Sequence, residues 1–256
     1  MDDWLTAALE HAAANDACAR AILVTVAAVE GSVPREPGTK MLVDAARQWG
    51  TVGGGHLELR GAELARAMLA SGEARRLERF ALGPSLGQCC GGVVHLAFEA
   101  VDRAHLAALA QRRSQDSWRL VAFDGAPALA LFDADGRLLQ GDAGGFAFAP
   151  TQAQAGTRVL RDAAGRRWLL DKVEAPRAHL MLFGAGHVGA AIVRAMGDLP
   201  CRITWVDERE DLFPALIPHN VTVEASDVPE ALAARAASGT HFLVMTHSHA
   251  LDQRLA

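Results

Sequence analysis

The stretch Gly184-Ala185-Gly186-His187-Val188-Gly189 constrains this chain most, because it directly follows the apolar run His179-Leu180-Met181-Leu182-Phe183. A G-x-G-x-x-G set between a buried strand and a helix is the first turn of a dinucleotide-binding βαβ unit. Gly184 allows the tight turn, Gly186 lets the backbone approach a phosphate at the helix N-terminus, and Gly189 lets the helix lie close to the sheet. The pattern predicts a helix over Ala190 to Met196 and a second strand over Arg202 to Val206. That strand ends in Asp207, 21 residues beyond Gly186, where a ribose-binding acid belongs. A third strand, His241 to Met245, leads into Thr246-His247-Ser248-His249-Ala250-Leu251-Asp252 at the carboxyl edge of the sheet. Two readings of this last segment stay open. In one, His247, His249 and Asp252 act as donors, acceptors or metal ligands; in the other, Ser248 or Thr246 caps a helix that starts near Ala250. The glycines likewise admit a plain βαβ turn with no ligand. The sequence stops at Ala256, one turn into that helix, so the expectation is an incomplete three-stranded half-domain whose open edge invites a second copy of the chain.

The fold class expected is therefore α/β, with a mixed α+β domain over residues 1–175 and a Rossmann-like domain over residues 176–256. In the first of these, a short amphipathic helix over Leu5 to Asn15 precedes a strand over Ala21 to Val29. A loop with two prolines, Glu30 to Lys40, leads to a hairpin of Met41 to Val43 and Trp49 to Val52. Gly53-Gly54-Gly55-His56 opens a helix over Leu57 to Ala70 that ends at Ser71-Gly72. Strands are expected at Arg76 to Leu82, Val93 to Ala100, Trp118 to Phe123, Ala128 to Phe132, Arg158 to Arg161 and Arg167 to Asp171, with a helix over Arg103 to Arg113. Gly141 to Gly156, rich in Gly, Ala and Gln, reads as a loose loop.

Between two of those strands lies Gly87-Gln88-Cys89-Cys90-Gly91-Gly92, which holds two of only four cysteines. Adjacent cysteines pair poorly, since consecutive Cα atoms lie about 3.8 Å apart, closer than ordinary disulfide geometry allows. The flanking glycines let a bulky group approach the sulfurs, so one reading is a thiolate offered to a soft metal or electrophile. The other is that one thiol packs in a core, as free cysteines commonly do. Cys18, Cys89, Cys90 and Cys201 suit neither a disulfide framework nor a C-x-x-C zinc site. A formal net charge of −5 argues against nucleic acid as a partner. No apolar run of about 18 residues suggests a membrane span, and Met1-Asp2-Asp3-Trp4-Leu5 is no signal-peptide start, so a cytoplasmic protein is expected.

Six motifs taken together resemble the xanthine dehydrogenase accessory family, XdhC/CoxI. They are Glu30-Gly31-Ser32-Val33-Pro34-Arg35-Glu36-Pro37-Gly38, Gly53-Gly54-Gly55-His56-Leu57-Glu58, Leu86-Gly87-Gln88-Cys89-Cys90-Gly91-Gly92, Phe183 to Gly189, Val206-Asp207-Glu208-Arg209 and Met245 to Asp252. The resemblance implies a chaperone rather than an enzyme. Such a protein binds molybdenum cofactor (molybdopterin), protects it during sulfuration in concert with a cysteine desulfurase, and inserts it into an apo xanthine dehydrogenase or related molybdenum hydroxylase. It further implies that Gly184, Gly186, His187, Gly189 and Asp207 hold the phosphate or nucleotide end, with His247 and His249 nearby. Cys89, Cys90 and Gln88 would meet the molybdenum end, the two thiols as metal contacts. Arg35 and Lys40 would neutralise pterin or phosphate oxygens, or form a solvated surface pair, and His56 would face the same cleft or serve structurally. A homodimer is expected. Two rival readings are an NAD(P)-dependent oxidoreductase, from the glycine fingerprint, and a thiol enzyme or persulfide carrier using Cys89 or Cys90, which would need cations beside the thiols.

Overall fold

A computed structural model of the chain describes residues 4–13, 21–83, 91–101, 103–112, 115–146, 148, 156–175, 178–199 and 201–256. The fold is mixed α/β in two compact units, Met1–Ala175 and Pro176–Ala256.

The first unit is built on two antiparallel sheets. One contains β1 (Ile22–Glu30), β2 (Lys40–Val43), β3 (Gln48–Gly50), β4 (Arg75–Ala81) and β5 (Val93–Ala100) in the order β3-β2-β1-β5-β4. The other contains β6 (Ser117–Ala122), β7 (Leu129–Asp133), β8 (Leu138–Asp142), β9 (Arg158–Arg161) and β10 (Arg167–Val173) in the order β8-β7-β6-β10-β9. Period-two alternation explains why both faces of the first sheet are covered. Ile22, Val24 and Val26 pack with Met41, Leu96 and Phe98 and with Leu57, Ala65 and Met68 of α2 (Gly55–Ser71). The alternate residues Ala27 and Ala97 meet Val121 and Leu169 of the second sheet. α1 (Trp4–Ala13) and α3 (Arg103–Gln111) share a further cluster with Leu23, Leu42 and Leu131. α2 ends where Gly72, at φ 76°, donates its N–H to the Met68 carbonyl, a left-handed cap that glycine adopts without strain. β8 corrects the expectation of a loose loop from Gly141 onward, since Gly141 and Asp142 are its last two residues and its backbone pairs with β7. Its residues are mostly exposed, so burial leaves almost no alternating pattern to detect.

Charged residues also point between these sheets. Arg119 donates to Asp171 (2.8 Å) and Glu99 (2.6 Å), and Lys40 donates to Asp171 (2.8 Å) and to the Gly38 carbonyl (2.8 Å). Thr157 adds a hydroxyl donor to Asp171 at 3.2 Å. Burial opposes Arg119's charge, but Glu99 and Asp171 outweigh it and hold the guanidinium more firmly protonated than usual. The expectation that Lys40 meets a ligand's oxygens fails here. Its side chain is 2% exposed and its charge is satisfied within the fold, so it is neither a phosphate contact nor half of a surface pair.

The second unit is a parallel sheet of β11 (Ala178–Phe183), β12 (Cys201–Asp207), β13 (Val221–Ala225) and β14 (His241–Val244) in the order β13-β12-β11-β14. In chain order this is 3-2-1-4, the first four positions of the classic Rossmann order, with four strands where three are expected from the sequence. The overlooked strand, β13, is exposed along most of its length and carries no buried apolar run. α4 (His187–Met196) packs Val193, Ala190 and Met196 against Leu182, Ile203 and Trp205. α5 (Pro229–Ala234) and α6 (His249–Leu255) place Leu232, Leu251 and Leu255 with Met181, Phe183 and Val206 in a separate cluster. Among the described residues no helix is long and apolar enough to cross a membrane.

Candidate functional site

In a 3-2-1-4 sheet the connections from the first strand run one way and the fourth strand lies on its other side, which opens a crevice at the carboxyl ends of β11 and β14. The glycine turn occupies that position. Gly184 has φ +116°, and a Cβ there would stand 2.4 Å from the Met245 carbonyl oxygen, so only glycine lets the turn pass under the end of β14. A Cβ on Gly189 would lie 2.1 Å from the Gly184 carbonyl oxygen, so α4 sits against the turn only because that side chain is missing. Gly186 is different. Its φ of −68° suits any residue, and a Cβ there would meet nothing within 4 Å. Neither packing nor backbone strain demands glycine at 186; what lies in front of it is open space bounded by the N-terminus of α4. Among the described residues no side chain caps that helix, and the first N–H groups of any helix have no acceptor of their own. Gly186, His187 and Val188 are all exposed.

β12 pins the turn from below. Trp205 donates its indole N–H to the Gly184 carbonyl (3.0 Å), and the Asp207 carboxylate accepts the Ala185 N–H (2.6 Å). The remaining acceptor positions of Asp207 belong to Arg209, whose backbone N–H (3.0 Å), Nε (2.9 Å) and Nη2 (3.1 Å) all reach it. Burial pushes the Asp207 carboxyl up, yet these hydrogen bonds prevail and hold it below the usual carboxylate range. Trp205 and Arg209 went unrecognised as turn-forming residues. The sequence signal for Arg209 is its place two residues after the acid, on the same side of an extended chain.

On the opposite lip, Met245 donates to the Phe183 carbonyl and carries the chain into Thr246–Asp252. The capping reading holds for Ser248, which accepts the Leu251 N–H at the start of α6. Asp252 binds Thr246 through both its N–H (3.0 Å) and hydroxyl (2.6 Å), so this acid is a brace for the loop. His247 Nε2 stands 3.5 Å from Glu208 next to Asp207, which brings it to the rim of the crevice. His249 is fully exposed, with its Nδ1 3.8 Å from Asp252. Among the described residues no group of three His, Cys, Asp or Glu is arranged to hold a metal.

A second concave region belongs to the first unit. The loops 30–38 and 53–58 lie in that unit, and Gly92 packs against the first of them. Gly92 donates to the Ser32 carbonyl (3.0 Å) and accepts from Leu82, and a Cβ on it would collide with the Glu30 and Ser32 carbonyls at 2.4 Å. Gly53 sits under Pro34, where a Cβ would come within 2.5 Å of the ring. Beside Gly53 lies a cleft of about 460 Å³ lined by Arg35, Gln48, Trp49, Thr51, Gly54 and Glu58. Glu58 closes one wall, accepting from Gln48 (2.9 Å), the Gly54 N–H (3.1 Å) and the Thr51 hydroxyl. Arg35 is exposed and makes no ion pair with the described residues, while His56 is exposed at the start of α2. Gln88, Cys89 and Cys90 lie outside the described residues.

The structure thus brings Gly184, Gly186, His187, Gly189, Asp207 and His247 around one crevice and leaves His249 on its outside. Arg35 lines the other cleft. A family profile described as the XdhC and CoxI family matches residues 14–81, and one described as the XdhC Rossmann domain matches residues 180–256. Together these segments span more than half of the chain. No curated protein matches the sequence. A crystal structure described as a xanthine dehydrogenase from Bacillus halodurans superposes with a TM-score of 0.74 at 18% identity, over 99% of this chain and 77% of that one, a likeness of fold. With both family segments present, in chain order and on the fold they require, the chain belongs to the XdhC/CoxI family.

Proposed function

We propose that this protein is a carrier of molybdenum cofactor: it binds the cofactor, shields it while an oxo ligand on molybdenum is exchanged for sulfido, and delivers it to an apo xanthine dehydrogenase or related molybdenum hydroxylase. Family membership supports the reading. The observation that carries its chemistry is the open floor at Gly186, a glycine with no internal reason to be one, beside uncapped helix N–H groups.

The cargo is a phosphate ester at one end and a dithiolene-held metal at the other. In this reading the phosphate, or the nucleotide of a dinucleotide form, rests on Gly184–Gly189 with His187 and His247 at the edges. Cys89 and Cys90 supply soft donors toward molybdenum, with Gln88 beside them, and Arg35 neutralises oxygens of the ligand. His249 has a peripheral part at most, given its full exposure. A cysteine desulfurase provides the sulfur, and the carrier works as a cytoplasmic homodimer without independent turnover.

The test is reconstitution. Protein incubated with released molybdenum cofactor should retain it through gel filtration and should raise the activity of an added apo molybdenum hydroxylase. Cys89→Ser and Cys90→Ser should lose retention without losing melting temperature. No retention together with no gain in hydroxylase activity refutes the carrier, and co-elution of NAD(H) with turnover of a substrate would favour the oxidoreductase instead.

A further inference from the structure

The Asp207 carboxylate occupies the position from which a Rossmann domain holds a ribose, but every acceptor direction on it is already used. Oδ2 takes the Ala185 N–H and Arg209 Nη2; Oδ1 takes the Arg209 N–H and Nε. A ribose diol binds such a carboxylate by donating two O–H groups, so it needs two of those four positions. The Ala185 N–H and the Arg209 N–H are backbone donors held by the fold, whereas Nε and Nη2 come from one side chain that is 39% exposed and free to swing into water.

The geometry points to Arg209 as a built-in competitor for the ribose position, displaced by a nucleotide with a free 2′,3′-diol. Two facts set the ligand class. The four acidic residues Asp207, Glu208, Glu210 and Asp211 outnumber the single arginine among positions 207–211, so a phosphate on the 2′-oxygen would enter a region of net negative charge. And molybdopterin without a nucleotide has no ribose, so it gains nothing from Asp207. The occupant for which this end of the crevice is shaped is a ribonucleotide with an unmodified diol, which among forms of the cofactor means a dinucleotide form. The inference rests on the reading that the Gly184–Gly189 turn accepts the phosphate of its ligand.

Titration calorimetry on the full chain with CDP, GDP, ADP, 2′-deoxy-CDP and 2′,5′-ADP tests this. Arg209→Ala should tighten the best ribonucleotide by about tenfold, since hydrogen bonds to a charged acceptor no longer have to be broken first. The 2′-deoxy and 2′-phosphorylated ligands should change less than about twofold for want of the diol. Arg209→Gln, which keeps a polar side chain but loses the paired donors, should behave like Arg209→Ala. Weaker or unchanged ribonucleotide binding in both variants overturns the role of Arg209, as does tighter binding of 2′,5′-ADP than of ADP by the unaltered protein. Gly186→Val separates the premises: it should abolish binding of all five ligands. Binding that survives Gly186→Val, or no binding of any nucleotide to either Arg209 variant, removes the glycine turn as the anchor as well.

Discussion

Asp171 in the first unit and Asp207 in the second are both buried carboxylates held by cations, yet they do different work. Asp171 is closed on every side: Lys40 and Arg119 are themselves 2% and 3% exposed, so no member of the group reaches water. Asp207 is equally sheltered, but its cation faces solvent on one side. A desolvated cation cannot leave its partner without an uncompensated buried charge, whereas a half-exposed one trades its partner for water at small cost. The first cluster therefore joins two sheets permanently, and the second can open.

The largest effect that would break this contrast comes from Asp171→Ala. It leaves Lys40 without its carboxylate and Arg119 with Glu99 as its remaining anion, and should destabilise the chain by about 3–5 kcal/mol in denaturant titrations. A loss under about 1 kcal/mol would mean that water enters between the sheets and that the two carboxylates are alike.

His105 sharpens the comparison through pH. Burial, helped by the charge of Arg119, pushes this histidine from 6.5 down to about 3, although Asp171 pulls the other way. Between those values the unfolded chain binds a proton that the folded chain does not. The stability due to this site is therefore complete above pH 6.5 and declines as the pH falls, by about 2 kcal/mol near pH 5. His105→Asn should flatten that part of the stability profile; an unchanged slope would show that the group beside Arg119 is hydrated.

The smallest expected effect on stability is that of Arg209→Ala. Its melting curve should overlay that of the unaltered protein, because the Ala185 and Arg209 backbone donors still hold Asp207. A clear fall in melting temperature would make Arg209 a structural clamp like Arg119 and leave no cheap way to open the crevice.

Much of the second unit was legible in the residues themselves. The run His179–Phe183, the glycine spacing and the terminal acid Asp207 encode a strand, a turn and a second strand through local sterics and periodicity alone, and the observed elements start or end within a few residues of those expected. The strands β8 and β13 were not legible, because an exposed edge strand has no buried face and so no alternating pattern. The same blindness made Lys40 resemble a ligand contact. Its neighbours in sequence are a polar loop, and only the pairing of β1 with β2 and the approach of β10 from the other sheet turn it inward to Asp171.

The sequence by itself determined where glycine was needed for backbone conformation, which helix the fingerprint opens, and the family to which the ordered motifs belong. Those are properties of short segments, set by φ, side-chain volume and spacing. Only the tertiary structure decided which glycine is vacant rather than packed, which acid binds backbone rather than ligand, and which cation is locked or free. Gly184, Gly186 and Gly189 read alike in a string of letters; Met245 and the Gly184 carbonyl crowd two of them and leave the third open. Charge follows the same rule, since the worth of Asp171 and Asp207 depends on how much water reaches their partners, and water access is a property of the assembled fold.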